Sequence, residues 1–342
     1  MEHVEAQERD EWIAITGCNG YIGGQTVLEF KRLGYKILGC DRNQQTGSWL
    51  LEHIDSFIPG DYTNGIFLHQ LRTLKPVAVI HIAGESLVGP SVSDPSKYYT
   101  NNVGQTSKLL SSLATLKWDG TFIFSSSAAV YSATDPKQNE SIRETFETKP
   151  PSPYGMSKLM AEKVIEDCAK AYGFKAICLR YFNACGADTK VRHGQVKQAT
   201  HLIARIMQAL MINDVFTLNG TDYDTPDGTC VRDYLHVEDI AKAHRTAYEL
   251  GKTFKPGQFD YFNLGTGKGY SIKEIISAIE RHTNKTLLVH KGPRRPGDPG
   301  RLVASSKKIE NIVGWQATNS TLDNIIRTTW AWYNCKRFKD YG

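Results

Sequence analysis

The stretch TGCNGYIGG, residues 16–24, follows a short apolar run and opens a helical pattern, and it leaves few ways to fold. Gly17 permits a tight turn out of a strand, Gly20 lets backbone approach a pyrophosphate, and Gly23 lets a helix lie close to the sheet. The start of that helix, at Tyr21 and Ile22, then offers free N–H groups and a positive dipole end to phosphates. A glycine turn alone says little. This one is answered by Asp41 at the end of the second apolar run. An acid there accepts hydrogen bonds from adenosine ribose hydroxyls and repels a 2′-phosphate, which favours NAD over NADP. The adjacent Arg42 pulls the other way, because an arginine there can take the extra phosphate.

The runs Trp12–Thr16, Tyr35–Cys40, Val77–Ala83, Thr121–Ser127 and Lys175–Tyr181 read as strands buried on both faces. Between them, Tyr21–Leu33, Tyr98–Ala114 and Ser157–Tyr172 carry apolar residues at helical spacing. This alternation predicts an α/β fold: a Rossmann-type doubly wound parallel sheet covered by helices. After Asn183 the texture changes to polar, glycine-containing loops, with helices around His201–Met211 and Val237–Leu250. The expectation is a dinucleotide-binding domain over 1–182. A smaller C-terminal α/β substrate-binding domain would span 183–342, with segments able to return to the first.

Bulk properties narrow the partners. The 342 residues carry 41 basic and 36 acidic side chains, a net +5, with no long basic block, so nucleic acid binding has little support. The apolar runs fall far short of the roughly 20 residues that a membrane span needs. The polar, acidic start is unlike a secretory leader. Seven cysteines show no CxxC and no His/Cys cluster, which predicts a reduced, cytoplasmic protein without a metal site.

Pro150–Pro153 leads into Tyr154-Gly155-Met156-Ser157-Lys158. With Ser152 or Pro153 starting a helix, Tyr154 and Lys158 sit at i and i+4 on one face. An ammonium beside a phenol stabilises the phenolate, so Tyr154 is a candidate general base for an alcohol proton. Upstream, FSSSAAVY (124–131) ends a buried strand in three hydroxyls, followed by Ala128 and Ala129.

Together these features resemble the extended short-chain dehydrogenase/reductase superfamily, and within it the UDP-glucose 4-epimerases. The segments that carry the resemblance include VIHIAGESLVGPSV at 79–92, YYTNNV at 98–103 and SPYGMSKLMAE at 152–162. LRYFNACGA at 179–187, DYDTPDGTCVRDYLHVEDIAKAH at 222–244 and RRPGDPGRLVAS at 294–305 extend it over nearly the whole chain. The resemblance implies that Tyr21, Ile22, Asp41, Asp61, Tyr62, Ala83, Gly84, Ser86, Asn101 and Phe182 line an NAD site. Ser127, Tyr154 and Lys158 would form the catalytic group. Asn183, His201, Leu202 and Thr217-Leu218-Asn219 would meet a UDP-sugar. Arg232 and Arg295 would grip its diphosphate, Asp298 would orient an arginine or touch the ribose, and Leu302 would gate the sugar pocket. The implied reaction oxidises the sugar at C4, turns the 4-keto sugar over and reduces its other face. A homodimer through helices beside the Tyr154 helix is also implied.

Alternatives separate on named residues. A nucleotide-sugar dehydratase of this superfamily places Asp-Glu just after its catalytic hydroxyl residue, where this chain has Ala128-Ala129. A methyl group cannot shuttle a proton. A UDP-pentose or UDP-uronate 4-epimerase would use the same chemistry. A silent NAD-binding scaffold would be expected to lack Tyr154 or Lys158. Departures from familiar members are Ser86 in place of a lysine, Ala129 in place of a threonine, and a short Asp41–Gly60 connection. His236, in HVED, is expected to cap or brace a helix, and the aromatic TTWAWYNCKRF to pack a terminal helix.

Overall fold

The computed structural model describes residues 8–43, 48–131, 140–196, 199–295 and 298–340. In chain order the strands are β1 (Trp12–Thr16), β2 (Lys36–Asp41), β3 (Ser56–Pro59), β4 (Ala78–His81), β5 (Thr121–Ser127), β6 (Lys175–Tyr181) and β7 (Asn183–Cys185). They continue with β8 (Val215–Asn219), β9 (Val231–His236), β10 (Phe259–Leu264), β11 (Gly269–Ser271), β12 (Leu288–Gly292) and β13 (Arg301–Leu302). A seven-stranded sheet has the order β10-β6-β5-β4-β1-β2-β3, and its pairings from β3 through β5 are parallel. The chain builds outward from β1 to β3, then crosses back to lay β4 on the other side of β1. That reversal is the place where open α/β sheets bind ligands, beyond the carboxyl ends of the strands. Gly17 follows β1 and Ala83 follows β4, so both stand at it.

The described chain divides into two compact units, each assembled from several segments. Met1–Ser126, Ser152–Leu179 and Ala241–Tyr261 form the first; Ser127–Pro151, Arg180–Ile240 and Phe262–Gly342 form the second. In the first, apolar residues of β1, β2, β4, β5 and β6 bury against helices, with Phe122, Phe124, Phe174, Leu109 and Leu113 at the centre. The Ala241–Tyr261 segment returns to this unit because Tyr248 meets Phe30 and Tyr35 edge-on, at 6.2 and 5.7 Å. In the second, β9 pairs with β7, β11 and β13, while β8 and β12 form a separate parallel pair. Buried Asp233 organises that unit by accepting from Thr266 N and Oγ1, Gly267 N and Ala304 N. His236 is buried there too: its Nδ1 accepts from Glu238 N at the start of the Val237–Gly251 helix, and its Nε2 meets Thr328 Oγ1 at 3.0 Å. The aromatic C-terminal stretch forms the Leu322–Asn334 helix, with Trp332 and Tyr333 buried.

Three elements differ from the periodicity. The expected Tyr98–Ala114 helix is an α-helical turn at Pro95–Tyr99, a π-helical turn at Thr100–Gly104 and an α-helix at Gln105–Thr115. Spacing at i, i+4 cannot reveal one widened turn, and such turns recur at functional sites. The strands β3 and β10 also escape the sequence pattern; β3 has four residues and buries only Ile58.

The glycine turn yields a stability prediction. A methyl group on Gly23 would run into the Gly17 carbonyl, and neither backbone can yield. Gly23→Ala is therefore expected to lose about 1–3 kcal/mol or more in urea unfolding. Gly65→Ala, at a helix start with nothing within 4 Å of the new methyl, is the matched control and should not destabilise.

Candidate active site

At Gly17 the chain leaves β1 with φ of 72°, a conformation that suits glycine. A Cβ there would lie 2.7 Å from Ala83 N. Gly20 caps the Tyr21–Arg32 helix, and no side chain occupies its capping position. A helix start without a side-chain cap presents its first-turn N–H groups in the way that a pyrophosphate requires. Tyr21 and Ile22 begin the helix, half-buried. Asp41 closes β2, and its two oxygens accept from Asn19 N at 2.9 Å and Asn43 N at 2.8 Å. Burial raises the Asp41 carboxyl from its ordinary value, and those backbone N–H groups work against the rise.

Beyond β3, Asp61 Oδ1 accepts from Thr63 N and Thr63 Oγ1 at 2.8 and 2.7 Å, while Oδ2 receives the Arg42 guanidinium. Burial pushes the Asp61 carboxyl up, but these hydrogen bonds outweigh it and hold it below the ordinary value. Arg42 also reaches Asn101 Oδ1 at 3.3 Å, and Tyr62 gives its hydroxyl proton to Asn101 O at 3.1 Å. Asn101 lies in the π-helical turn, and Ser86 is exposed in the loop after β4.

Tyr154 and Lys158 ride the Pro153–Tyr172 helix. Ser152 starts it by accepting from Gly155 N at 3.2 Å, Pro153 fixes its first turn, and Gly173 ends it in the left-handed region. Both side chains are buried. The Tyr154 ring packs edge-on to Tyr98 with centroids 6.3 Å apart. Lys158 Nζ donates to Ser125 O at 2.8 Å and stands 4.7 Å over the Phe124 ring. Burial pulls its ammonium down to about 8, with Cys178 and Glu162 acting in the opposite sense. Gly84 lies alongside: a Cβ there would come 3.5 Å from Lys158 Nζ and 2.8 Å from Asn102 Oδ1.

The remaining candidates belong to the second unit. Ser127 is the last residue of β5, and its Oγ accepts from Ala129 N at 3.1 Å, so its own proton remains available to an oxygen. Phe182 N donates to Leu264 O at 3.1 Å, and Asn183 Nδ2 to Asp233 O at 3.1 Å. His201 caps the Leu202–Ile212 helix, its ring against the Gln195 amide. Thr217, Leu218 and Asn219 lie on β8, in register with His290, Lys291 and Gly292. Arg232 is held by the Asp298 carboxylate, by Pro299 O at 2.7 Å and by Val231 O at 2.9 Å. Leu302 pairs with Arg232 across β13 and β9. With its amide turned to satisfy both groups, Asn219 accepts from Arg295 Nη2 and Nε at 3.0 and 3.2 Å. Among the described residues no group of three His, Cys, Asp or Glu is placed to hold a metal ion, and no helix is long and apolar enough to cross a membrane. All seven cysteines are free thiols.

Comparison with known proteins decides the family. Residues 13–265 match the NAD dependent epimerase/dehydratase family. The chain belongs to that family. A UDP-glucose 4-epimerase of Halalkalibacterium halodurans is 40% identical over 325 residues, covering 94% of this chain and 95% of its own. The UDP-glucose 4-epimerase of Brucella ovis, solved with NAD, is 39% identical, covers 94% of this chain and 98% of its own, and superposes with a TM-score of 0.86. That of Bifidobacterium longum, solved with NAD+ and UDP, is 30% identical over 96% of this chain and 99% of its own, also at 0.86.

Beside the candidates that the sequence singled out, this member of the epimerase/dehydratase family buries a polar set that it did not. Asn102 accepts from Glu85 N at 2.8 Å and donates to Ser157 Oγ at 2.9 Å, and Ser157 in turn donates to Tyr154 O at 2.7 Å. Ser126 Oγ bonds buried Glu162, one turn beyond Lys158. His81 sits between Thr16 Oγ1 at 2.7 Å and Thr106 Oγ1 at 2.9 Å, and burial, followed by the charge of Lys158, lowers its ring to about 3. The signal for Asn102 and Thr106 was present. Tyr98, Asn102, Thr106, Leu109 and Leu113 are all buried at helical spacing, and two of the five are polar.

Lys158 gives a pH prediction with a definite sign. Its ammonium titrates at about 8 when folded against an ordinary 10.5, so between those values the unfolded chain holds the extra proton and stability rises with pH. Lys158→Met abolishes this rise. Moving from pH 7 to 10.5 should shift the stability difference by about 3 kcal/mol in favour of the unsubstituted protein, measured by urea unfolding.

Proposed function

We propose that this chain is an NAD-dependent 4-epimerase of UDP-hexoses that interconverts UDP-glucose and UDP-galactose through a 4-keto sugar. The observation that carries the reading is the Pro153–Tyr172 helix. It buries Tyr154 and Lys158 one turn apart, with the amine fixed on the Ser125 carbonyl, in a chain similar over nearly its whole length to UDP-glucose 4-epimerases. The open helix start, the glycine contacts and Asp41 suit a dinucleotide without a 2′-phosphate. When bound, NAD would supply a hydride acceptor and then a hydride donor for sugar C4, so that no net oxidant is consumed.

The side chains do the proton and positioning work. Tyr154 as phenolate accepts the 4-hydroxyl proton and later gives it back. The Lys158 ammonium favours that phenolate, and its lowered pKa keeps the two protonation states close near neutral pH. Ser127 keeps its proton and donates a hydrogen bond to the reacting oxygen, which steers the proton to and from Tyr154. Arg232 and Arg295 hold the diphosphate with planar, permanently charged forks, already aimed by Asp298 and Asn219. A hexose tethered only through its nucleotide is then free to turn. Ala128 and Ala129 form a 3₁₀ turn with no acid, so elimination after oxidation has no proton carrier there.

The enzyme is cytoplasmic and homodimeric in this reading. The dimer face carries Val92, Met156 and Met160, apolar side chains left 68%, 36% and 43% exposed on the Val88–Ser93 and Pro153–Tyr172 helices.

Purified protein should convert UDP-galactose to UDP-glucose with no NAD added; protein that retains NAD but never interconverts the two sugars would sink the reading. Tyr154→Phe should cut kcat by roughly 10²–10⁴ while bound nucleotide is kept. Leu302 should crowd a 2-acetamido group, so UDP-N-acetylhexosamines should turn over poorly, and Leu302→Ala should raise their rate relative to UDP-galactose.

A further inference from the structure

Arg42 is an awkward residue for a site that takes NAD. It follows the acid that ends β2, where a guanidinium can take a 2′-phosphate through charge-assisted hydrogen bonds. The side chain is 53% exposed, so it is not withdrawn into the fold. What limits it is its partners. Nε donates to Asp61 Oδ2 at 3.1 Å and Nη2 donates to the same oxygen, while Nη2 also reaches Asn101 Oδ1 at 3.3 Å. The opposite Asp61 oxygen is fixed by Thr63 N and Thr63 Oγ1. Pro59 pairs with Asp41 across β3 and β2, so Arg42 and Asp61 both lie just past neighbouring strand ends.

The strap continues along the strand ends. Asn101 Nδ2 donates to Glu85 Oε1 at 3.3 Å, and Lys97 pairs with Glu85 Oε2 at 3.3 Å. The Arg42 donors are therefore directed to Asp61 and Asn101 rather than to Asp41, whose own oxygens accept from Asn19 N and Asn43 N.

We propose that Asp61 sets the choice of NAD over NADP by sequestering Arg42, so that the arginine's charge and donors are not offered to a 2′-phosphate. The two acids then act in concert, Asp41 by repelling the phosphate and Asp61 by withdrawing the neighbouring cation that would attract it. Asp61 is a specificity-determining residue that acts through Arg42, in addition to any contact of its own with the adenosine. The proposal rests on the reading of this site as a nicotinamide dinucleotide site.

The test is competitive loading. Purified protein, first stripped of the nucleotide it retains, is incubated with equal NADH and NADPH, desalted and denatured in alkali, and the released nucleotides are quantified after chromatography. Asp61→Asn keeps an oxygen for Thr63 but loses the charge that holds Arg42. It should raise the bound NADPH-to-NADH ratio by about tenfold or more. Arg42→Leu alone should leave the ratio near that of the unsubstituted protein, and Arg42→Leu with Asp61→Asn should return it there. That dependence on residue 42 is the signature. An unchanged ratio in Asp61→Asn, or a rise that persists without Arg42, would overturn the proposal. In the second case Asp61 would merely repel phosphate itself. Unsubstituted protein that neither retains NAD on purification nor loads NADH after stripping would overturn the dinucleotide reading, and the proposal with it.

Discussion

A lysine amine enclosed by protein needs an acceptor and a reason to be there, and Lys158 finds both on β5. Its Nζ bonds the Ser125 carbonyl at 2.8 Å and rests over the Phe124 ring. An amine left without a partner at that depth would cost several kcal/mol or would simply lose its proton. Because the partner is a main-chain oxygen, the arrangement constrains more than one side chain. It ties the helix that bears Tyr154 to the strand that ends in Ser127, while Gly84 alongside leaves room for Asn102 Oδ1, which a Cβ there would meet at 2.8 Å. The three serines, 125–127, have different parts in this arrangement. Ser125 contributes its carbonyl, Ser126 bonds Glu162, and Ser127 retains a proton to give.

A second chain of bonds connects the phosphate turn to the same helix. Thr106 gives its proton to Asn102 O at 2.8 Å, so toward His81 its oxygen can only accept. His81 must therefore donate from Nε2 and accept the Thr16 proton at Nδ1. A charged ring could not do this, and burial keeps the ring neutral. Thr16 immediately precedes the Gly17 turn, and Asn102 braces Ser157 and Tyr154. The end of β1, the end of β4, the π-helical turn and the catalytic helix are thereby joined by directional bonds with a fixed sense. Such a network specifies one arrangement of polar groups where apolar packing would tolerate several.

How legible this was depends on the kind of signal. The buried parallel strands announced themselves as continuous β-branched runs, and the glycine turn did so because Gly17 and Gly23 sit where backbone touches backbone. Tyr154 and Lys158 were readable because the helix start at Ser152 and Pro153 fixes their phase. The π-helical turn was hidden, since its one extra residue leaves the surrounding periodicity almost intact. The strand β10 was hidden for another reason: the chain returns to the first unit only after the Val231–His236 strand, and hydrophobic periodicity carries no information about which unit a segment joins. The arginines could be named only through family resemblance, because nothing in the local pattern around Arg232 distinguishes a ligand-holding guanidinium from a surface one.

In the proposed reading, those arginines have their charge managed before any ligand arrives. Arg232 is paired with Asp298, Arg295 with Asn219, and Arg42 with Asp61, yet the three pairings are not equivalent. The Asn219 amide is neutral, so it aims Arg295 without reducing its attraction for a diphosphate. Asp298 compensates Arg232 in part, and leaves a fork that is oriented and only 11% exposed. Asp61 instead holds Arg42 through both Nε and Nη2, the edge a bidentate fork would offer to a phosphate. The same residue type thus serves as a grip where its partner is neutral or shared, and is silenced where a carboxylate takes its donor edge. In the proposed reading, where Arg232 and Arg295 attract a diphosphate and a 2′-phosphate is declined at Arg42, the difference lies in the partners of the arginines rather than in their number.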